Sequence, residues 1–176
     1  MSTKFVTIGE ARADDAAQLA DFAARSFRAA FAAENSEKHM REHIECTFSP
    51  ELQAREIADT KVSSLLAFES EQLLAYAQVR RSSPPACVKV SSPIELHRFY
   101  VDKAAHGLGV AQQLMDSVVK DAQKRLAEHL WLGVWERNPR AIRFYEKCGF
   151  ADVGSQTFCL GSDPQTDRVL LKKLNA

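Results

Sequence analysis

Neither sign of charge prevails in this chain: 23 basic and 23 acidic side chains leave a net charge of zero over 176 residues. That balance removes any electrostatic argument for a nucleic acid or an anionic membrane surface as partner. No apolar run approaches the roughly 18 residues of a membrane span, and the opening MSTKFVTIGEARADD lacks the apolar core of a signal peptide. Cysteine is scarce. Cys46, Cys87, Cys148 and Cys159 are widely spaced and form no C-x-x-C pair, which excludes a disulfide scaffold and fits a reducing, cytoplasmic setting. His39 and His43 stand four apart, but Met40, Arg41 and Glu42 between them do not make the H-E-x-x-H zinc motif, so no metal site is expected. Internal repeats and low-complexity tracts are absent, and the length favours one domain over residues 1–176.

Glycine is sparse too, yet Gly107 and Gly109 flank Leu108 in the stretch around which the chain is organised, residues 95–119. There a β-rich run drops into a turn and an amphipathic helix follows. Val110, Leu114, Val118 and Ala122 recur every four residues and Ala111, Met115 and Val119 fill the adjacent row, predicting a helix that runs to about Ala127. His106-Gly107-Leu108-Gly109-Val110-Ala111 lies at its start. The first N–H groups of a helix have no carbonyl partner within it, glycine removes the Cβ atoms that would hold a phosphate away, and the helix dipole favours an anion there. The competing reading is a turn in which glycine serves geometry alone. In the run before the turn, Ile94 and Leu96 are apolar in one phase of the alternation, Phe99 and Val101 in the other. A β-bulge near residues 97–98 would bring all four to one face, and bulges are over-represented beside active sites. A strand buried on both faces would need no bulge.

Elsewhere the pattern predicts a strand over 4–10, a helix over 13–30, a second helix capped by Asn35 or Ser36 and running to Cys46, and a short helix over 50–59. A hairpin is predicted from residues 62–68 and 73–80, then a proline-bearing excursion and a strand over 130–135. The break from Phe31 to Ser36 is either a substrate loop or a solvated connection. Asn138 suits an N-cap, Pro139 the first helical position and Gly149 a left-handed helix end. Ala141, Ile142 and Tyr145 share a helix face, which turns a phenol inward, where its hydroxyl needs a partner. A dinucleotide fingerprint would require glycine or alanine at position 112; Gln112 stands there, and the β-rich runs come in pairs rather than alternating with helices.

Two motifs carry a family resemblance. His106 to Ala111 matches the acetyl-CoA signature of the GNAT superfamily of N-acetyltransferases, Gln or Arg followed by x-x-G-x-Gly or Ala, everywhere except the first position. Asn138 with Ala141-Ile-Arg-Phe-Tyr-Glu-Lys-Cys-Gly-Phe150 matches the family's later pattern. The chain resembles that superfamily over nearly its whole length, and its F-x-x-x-N-S loop loosely resembles the polyamine-type branch. The resemblance implies an α+β fold: a mixed, mostly antiparallel sheet flanked by helices, whose splayed and bulged central strand admits the pantetheine arm of acetyl-CoA. It implies that Phe99, Tyr100 and Val101 hold pantetheine, that His106, Gly107, Leu108, Gly109, Val110 and Ala111 cradle the pyrophosphate, and that Asn138 belongs to the coenzyme site. Histidine at 106, roughly a quarter protonated at pH 7 if unperturbed, implies weaker or more pH-dependent coenzyme binding than arginine would give.

The reaction so implied is attack of an amine on the acetyl thioester through a tetrahedral intermediate. Glu95 would take the amine's proton directly or through water, with His97 as the other candidate base, and Tyr145 would steady the departing thiolate. Glu34 would meet a cationic amine if its loop binds substrate, and is otherwise a solvated charge. A small amine, a polyamine, an amino acid or a peptide amine all fit as acceptor, and a homodimer is compatible with the sequence. The alternative is a non-catalytic acyl-CoA-binding sensor, which would share the coenzyme pocket but transfer no acetyl group.

Overall fold

In the computed structural model, which describes residues 5–174, the elements follow local signals closely. A short strand, β1 (Thr7–Glu10), comes first; Lys4 of the expected strand lies outside the described residues. After a 3-10 turn, α1 (Ala16–Phe31) buries Leu19, Phe22, Ala23 and Phe27, the inward stripe that its spacing announces. Ser36 caps α2 (Glu37–Thr47), its hydroxyl accepting from His39 N–H at 3.2 Å, and Ser49 caps α3 (Pro50–Ala58) through Leu52 N–H at 3.2 Å. The hairpin β2 (Val62–Glu69) and β3 (Gln72–Arg80) leads into the central strand β4 (Pro93–Val101). Then come α4 (Val110–Lys124), β5 (His129–Trp135), α5 (Pro139–Lys147), β6 (Ala151–Leu160) and β7 (Asp163–Lys173).

The seven strands form one sheet in the order β1-β2-β3-β4-β5-β7-β6, antiparallel throughout except between β4 and β5. The mixed, mostly antiparallel α+β architecture expected from the resemblance is therefore present. Nothing in the sequence reading anticipated the closing hairpin, in which β7 inserts between β5 and β6. Helices α4 and α5 pack on one face of the sheet, where Val110, Leu114 and Val118 meet Ala77, Val79, Leu130 and Leu132. Helices α1 and α2 cover part of the other, over Leu66, Tyr76 and Leu160.

The phase change in β4 is a bulge. Gln78 pairs with Arg98 and the next residue, Val79, with Leu96, leaving His97 as the extra residue. Ile94, Leu96, Phe99 and Val101 consequently all reach the core under α4, while Tyr100 packs with the cluster under α1. A doubly buried strand is not needed to explain the pattern. One boundary differs: α4 ends at Lys124, not near Ala127. Leu126 takes a left-handed conformation at φ 59° and the chain turns back, yet Ala127 still points into the core, so the apolar spacing outruns the helix.

Candidate functional site

Parallel pairing between β4 and β5 lasts for three residues only, Pro93 to Glu95 against His129 to Trp131. Beyond them the strands diverge, and a cleft of about 1060 Å³ passes through the sheet from the α4–α5 face to the α1 face. The β5-facing backbone groups of residues 96–101 are thereby freed of a ladder partner. Phe99, Tyr100 and Val101 line this gap.

At one end of the cleft lies the turn before α4. Gly107 and Gly109 both have φ 79°, a conformation that costs an L side chain free energy. A Cβ at Gly107 would have no atom within 4 Å, so the space above the turn is open. Among the described residues, the N–H groups of Gly109, Val110, Ala111 and Gln112 have no backbone acceptor; the arrangement suits a phosphate oxygen. His106, Gly107, Gly109 and Ala111 line the cleft, whereas Val110 is buried in the core and Leu108 is off the cleft wall. The His106 ring does not reach outward as an arginine would: its Nε2 bonds to the Val101 carbonyl at 3.0 Å. Burial lowers its pKa below the ordinary histidine value and Arg140 lowers it further, so the ring braces the turn in its neutral form. Asn138 reaches the same wall while its Oδ1 accepts from Ala141 N–H at 3.1 Å, so its capping role is met and its amide nitrogen has no partner among the described residues.

Tyr145 stands in the middle, held edge-on by Phe99 at 6.1 Å and Phe150 at 5.8 Å between ring centroids. Its side chain is buried, its hydroxyl makes no hydrogen bond among the described residues, and it lines the cleft. A structural cap on a backbone group is therefore not what holds it. Burial pushes its pKa above the ordinary phenol range, with Tyr100 and Cys148 adding to the shift, which keeps the hydroxyl a donor.

On the α1 side the bulge presents Glu95, His97 and Arg98 to the cleft. Arg98 is spent on a two-pronged ion pair with Glu56, at 2.6 and 3.1 Å. Glu95 accepts from Arg80 Nε at 2.7 Å and lies 3.1 Å from His97 Nδ1. Burial alone would raise the Glu95 pKa, but the hydrogen bonds from His97 and Arg80 hold it down at about 2. Burial lowers the His97 pKa, and the hydrogen bond to Glu95 only partly offsets that. Glu34 is exposed and does not line the cleft.

A carboxylate that the sequence reading passed over completes this end. Asp167 on β7 sits between its ladder partners Trp135 and Gln156, is 8% exposed, and lines the cleft. Burial pushes its pKa up to about 6, and after burial and Arg98 it is the next influence on the Tyr100 hydroxyl. A signal existed: Asp167 is in phase with Val169 and Leu171, so an acid continues an inward-facing apolar row. Among the described residues no cluster of histidine, cysteine and carboxylate is set to hold a metal, and no helix is long and apolar enough to cross a membrane.

The model of the acetyltransferase (GNAT) family matches residues 19–150. An uncharacterized N-acetyltransferase from Mycobacterium tuberculosis is 32% identical over 160 residues, covering 91% of this chain and 98% of that protein. A probable spermine N1-acetyltransferase from Bacillus subtilis subsp. natto is 28% identical over 80 residues, 45% of this chain and 49% of its own. In fold, the chain is similar to the PaiA N-acetyltransferase from Thermoplasma acidophilum, solved in complex with coenzyme A, with a TM-score of 0.78 at 20% identity over 97% of this chain and 99% of that one.

Proposed function

Because the chain belongs to the acetyltransferase (GNAT) family and is an N-acetyltransferase that uses acetyl-CoA, we propose that His97 takes the proton of a small primary amine while Tyr145 donates a hydrogen bond to the departing sulfur. Residues 1–176 act as one catalytic domain. When bound, acetyl-CoA supplies the acetyl group as an activated thioester. The backbone of Phe99, Tyr100 and Val101 and the turn from His106 to Ala111 position it, with Asn138 beside them; the unpaired N–H groups and the open space over Gly107 support this assignment.

The observation that carries the reading is the hydrogen bond between Glu95 and His97. An ionised carboxylate only accepts, so the ring nitrogen facing it, Nδ1, carries the hydrogen and Nε2 keeps its lone pair. The depressed pKa of His97 keeps the ring neutral at pH 7, able to receive a proton, and Glu95 steadies the imidazolium that forms. Glu95 itself, near pKa 2 and held by two donors, is a poor base and a good orienter. On the other side of the gap, the elevated pKa of Tyr145 suits hydrogen bonding to developing charge rather than full proton transfer.

The acceptor is a small amine, with polyamines first in the panel to be tried; the partial likeness to the Bacillus protein supports their inclusion. Thiol release from acetyl-CoA, read across amines, tests the proposal. His97→Gln should lower kcat/KM by roughly a hundredfold to ten-thousandfold. Tyr145→Phe should lower kcat and kcat/KM together while leaving the melting temperature in place, because it removes an interaction made only as the thiolate departs. Wild-type turnover in His97→Gln would return the base to Glu95 acting through water. Coenzyme binding without transfer to any amine would establish the sensor instead.

A further inference from the structure

We infer that Asp167 determines acceptor choice: its carboxylate receives a second positive charge on the substrate, separate from the nitrogen that is acetylated. The inference rests on the reading of the cleft as an amine acetylation site. Four carboxylate or guanidinium side chains are buried among the described residues, and three of them have partners: Glu95 with Arg80 and His97, Arg98 with Glu56, Asp121 with Arg125. Among the described residues the Asp167 carboxylate has neither a hydrogen bond nor an ion pair, its only shift coming from burial, although buried charges are ordinarily paired. What it lacks is a cation, and it faces the cleft through which an amine would enter.

Its surroundings fit that missing group. Asp167 and Gln156 both lie over Gly133 of β5, where a Cβ would come within 3.0 Å of Asp167 Oδ2 and 2.6 Å of Gln156 Nε2. Glycine in the row that carries Trp131 and Trp135 thus leaves room for the carboxylate and the amide. Trp135 and Phe31, in edge contact at 5.7 Å, form an aromatic wall on the same side, and ring faces attract cations. The reacting nitrogen is a poor match for this site. A carboxylate beside it would favour the ammonium form and raise its pKa, opposing the proton loss that attack requires. Asp167 therefore suits a nitrogen that stays protonated, while His97, two strands away in the order β4-β5-β7, serves the one that reacts.

The test compares diaminobutane with butylamine, which have the same chain and differ in the second ammonium. Wild-type protein should prefer diaminobutane in kcat/KM by roughly ten- to a hundredfold, the scale of a hydrogen bond to a charged group. In Asp167→Asn that ratio should fall to near one. Gly133→Ala, which keeps the carboxylate but crowds it, should lower the ratio in the same direction. Independently of turnover, diaminobutane should raise the melting temperature of the coenzyme A-loaded wild type and not that of Asp167→Asn. Equal losses for both amines in Asp167→Asn would place the residue at the reacting nitrogen and overturn the inference, as would a wild type that acetylates both amines alike. If no amine is acetylated but the Asp167-dependent melting shift persists, the reading of the activity fails and this site stands.

Discussion

The proposed coenzyme end of the cleft is built from two short stretches, residues 99–111 and 138–145, whereas the proposed acceptor end draws single side chains from α1, β4, β5, β6 and β7. At the coenzyme end each part is specified by its neighbours in sequence: glycine where the backbone turns left-handed, a helix start whose N–H groups are unpaired, an asparagine cap. At the acceptor end Phe31, His97, Trp135 and Asp167 become neighbours only once the sheet is assembled. Binding a phosphate-bearing ligand through backbone is a local problem; choosing an amine is a problem of long-range register.

The sharpest way to break that contrast is at Gly109. Saturating acetyl-CoA at about a hundred times its dissociation constant should stabilise the wild type by roughly 2.7 kcal/mol. Gly109→Val places a branched side chain at φ 79°, at the mouth of the phosphate turn, and should remove most of that gain. Thermal melts with and without acetyl-CoA provide the measurement. A variant that keeps the full shift would mean that the coenzyme end does not depend on its local backbone.

A smaller effect tests the acceptor end. With its pKa raised to about 6, Asp167 favours the folded state in its protonated form. Because the folded value lies above that of an unfolded carboxylate near 3.9, this contribution is full below about pH 4 and is lost as pH rises through 6. The loss amounts to about 2 kcal/mol once the partial solvation of the cleft is allowed for. Glu95 behaves oppositely: held at about 2, it contributes above the unfolded carboxylate range and loses that contribution as pH falls toward 2. Asp167→Asn should therefore melt higher than the ligand-free wild type by about 4–8 °C at pH 7 and by little at pH 4. Equal melting temperatures at pH 7 would show that the carboxylate bears no burial cost.

Much of the local backbone is legible in the sequence. The phase shift between Ile94, Leu96 and Phe99, Val101 predicts a bulge near residues 97–98, and it lies at His97; Asn138, Pro139 and Gly149 bound α5. The state of the acceptor groups was not legible, for a physical reason. The resemblance makes Glu95 the first candidate base, but its register partner Arg80 comes from β3 and ties it down. The sequence places a partly protonated His106 at the phosphate turn, yet its ring satisfies the carbonyl of Val101. The alternation shows Asp167 in phase with Val169 and Leu171, but that this row borders the cleft follows only from the insertion of its strand between β5 and β6, a pairing no local pattern encodes. Glu34, conspicuous in its loop, is off the cleft wall because α1 turns Phe31 inward instead.

Local signals failed at one place even on the coenzyme side, and the smallest predicted effect lies there. Helices α4 and α5 end in the same way. In α5, Phe150 N–H bonds to Tyr145 C=O at 3.1 Å and Gly149 N–H to Glu146 C=O at 2.9 Å, with Gly149 at φ 85°. In α4, Ala127 N–H bonds to Ala122 C=O at 3.1 Å and Leu126 N–H to Gln123 C=O at 2.9 Å, with Leu126 at φ 59°. Both are Schellman ends, but leucine occupies the position that glycine usually takes, so sequence alone gave no stop signal. Leu126 is 81% exposed, and shortening it forfeits little burial. Leu126→Gly should relieve the left-handed strain, which exceeds the entropy cost of the added glycine, for a net stabilisation of about 1 kcal/mol or 2–4 °C. Gly149→Ala should shift stability the other way, its Cβ meeting Lys172 Nζ at 2.9 Å. Denaturant melts of the two variants compare the ends directly; a Leu126→Gly protein less stable than wild type would mean that its exposed side chain contributes more than its backbone costs.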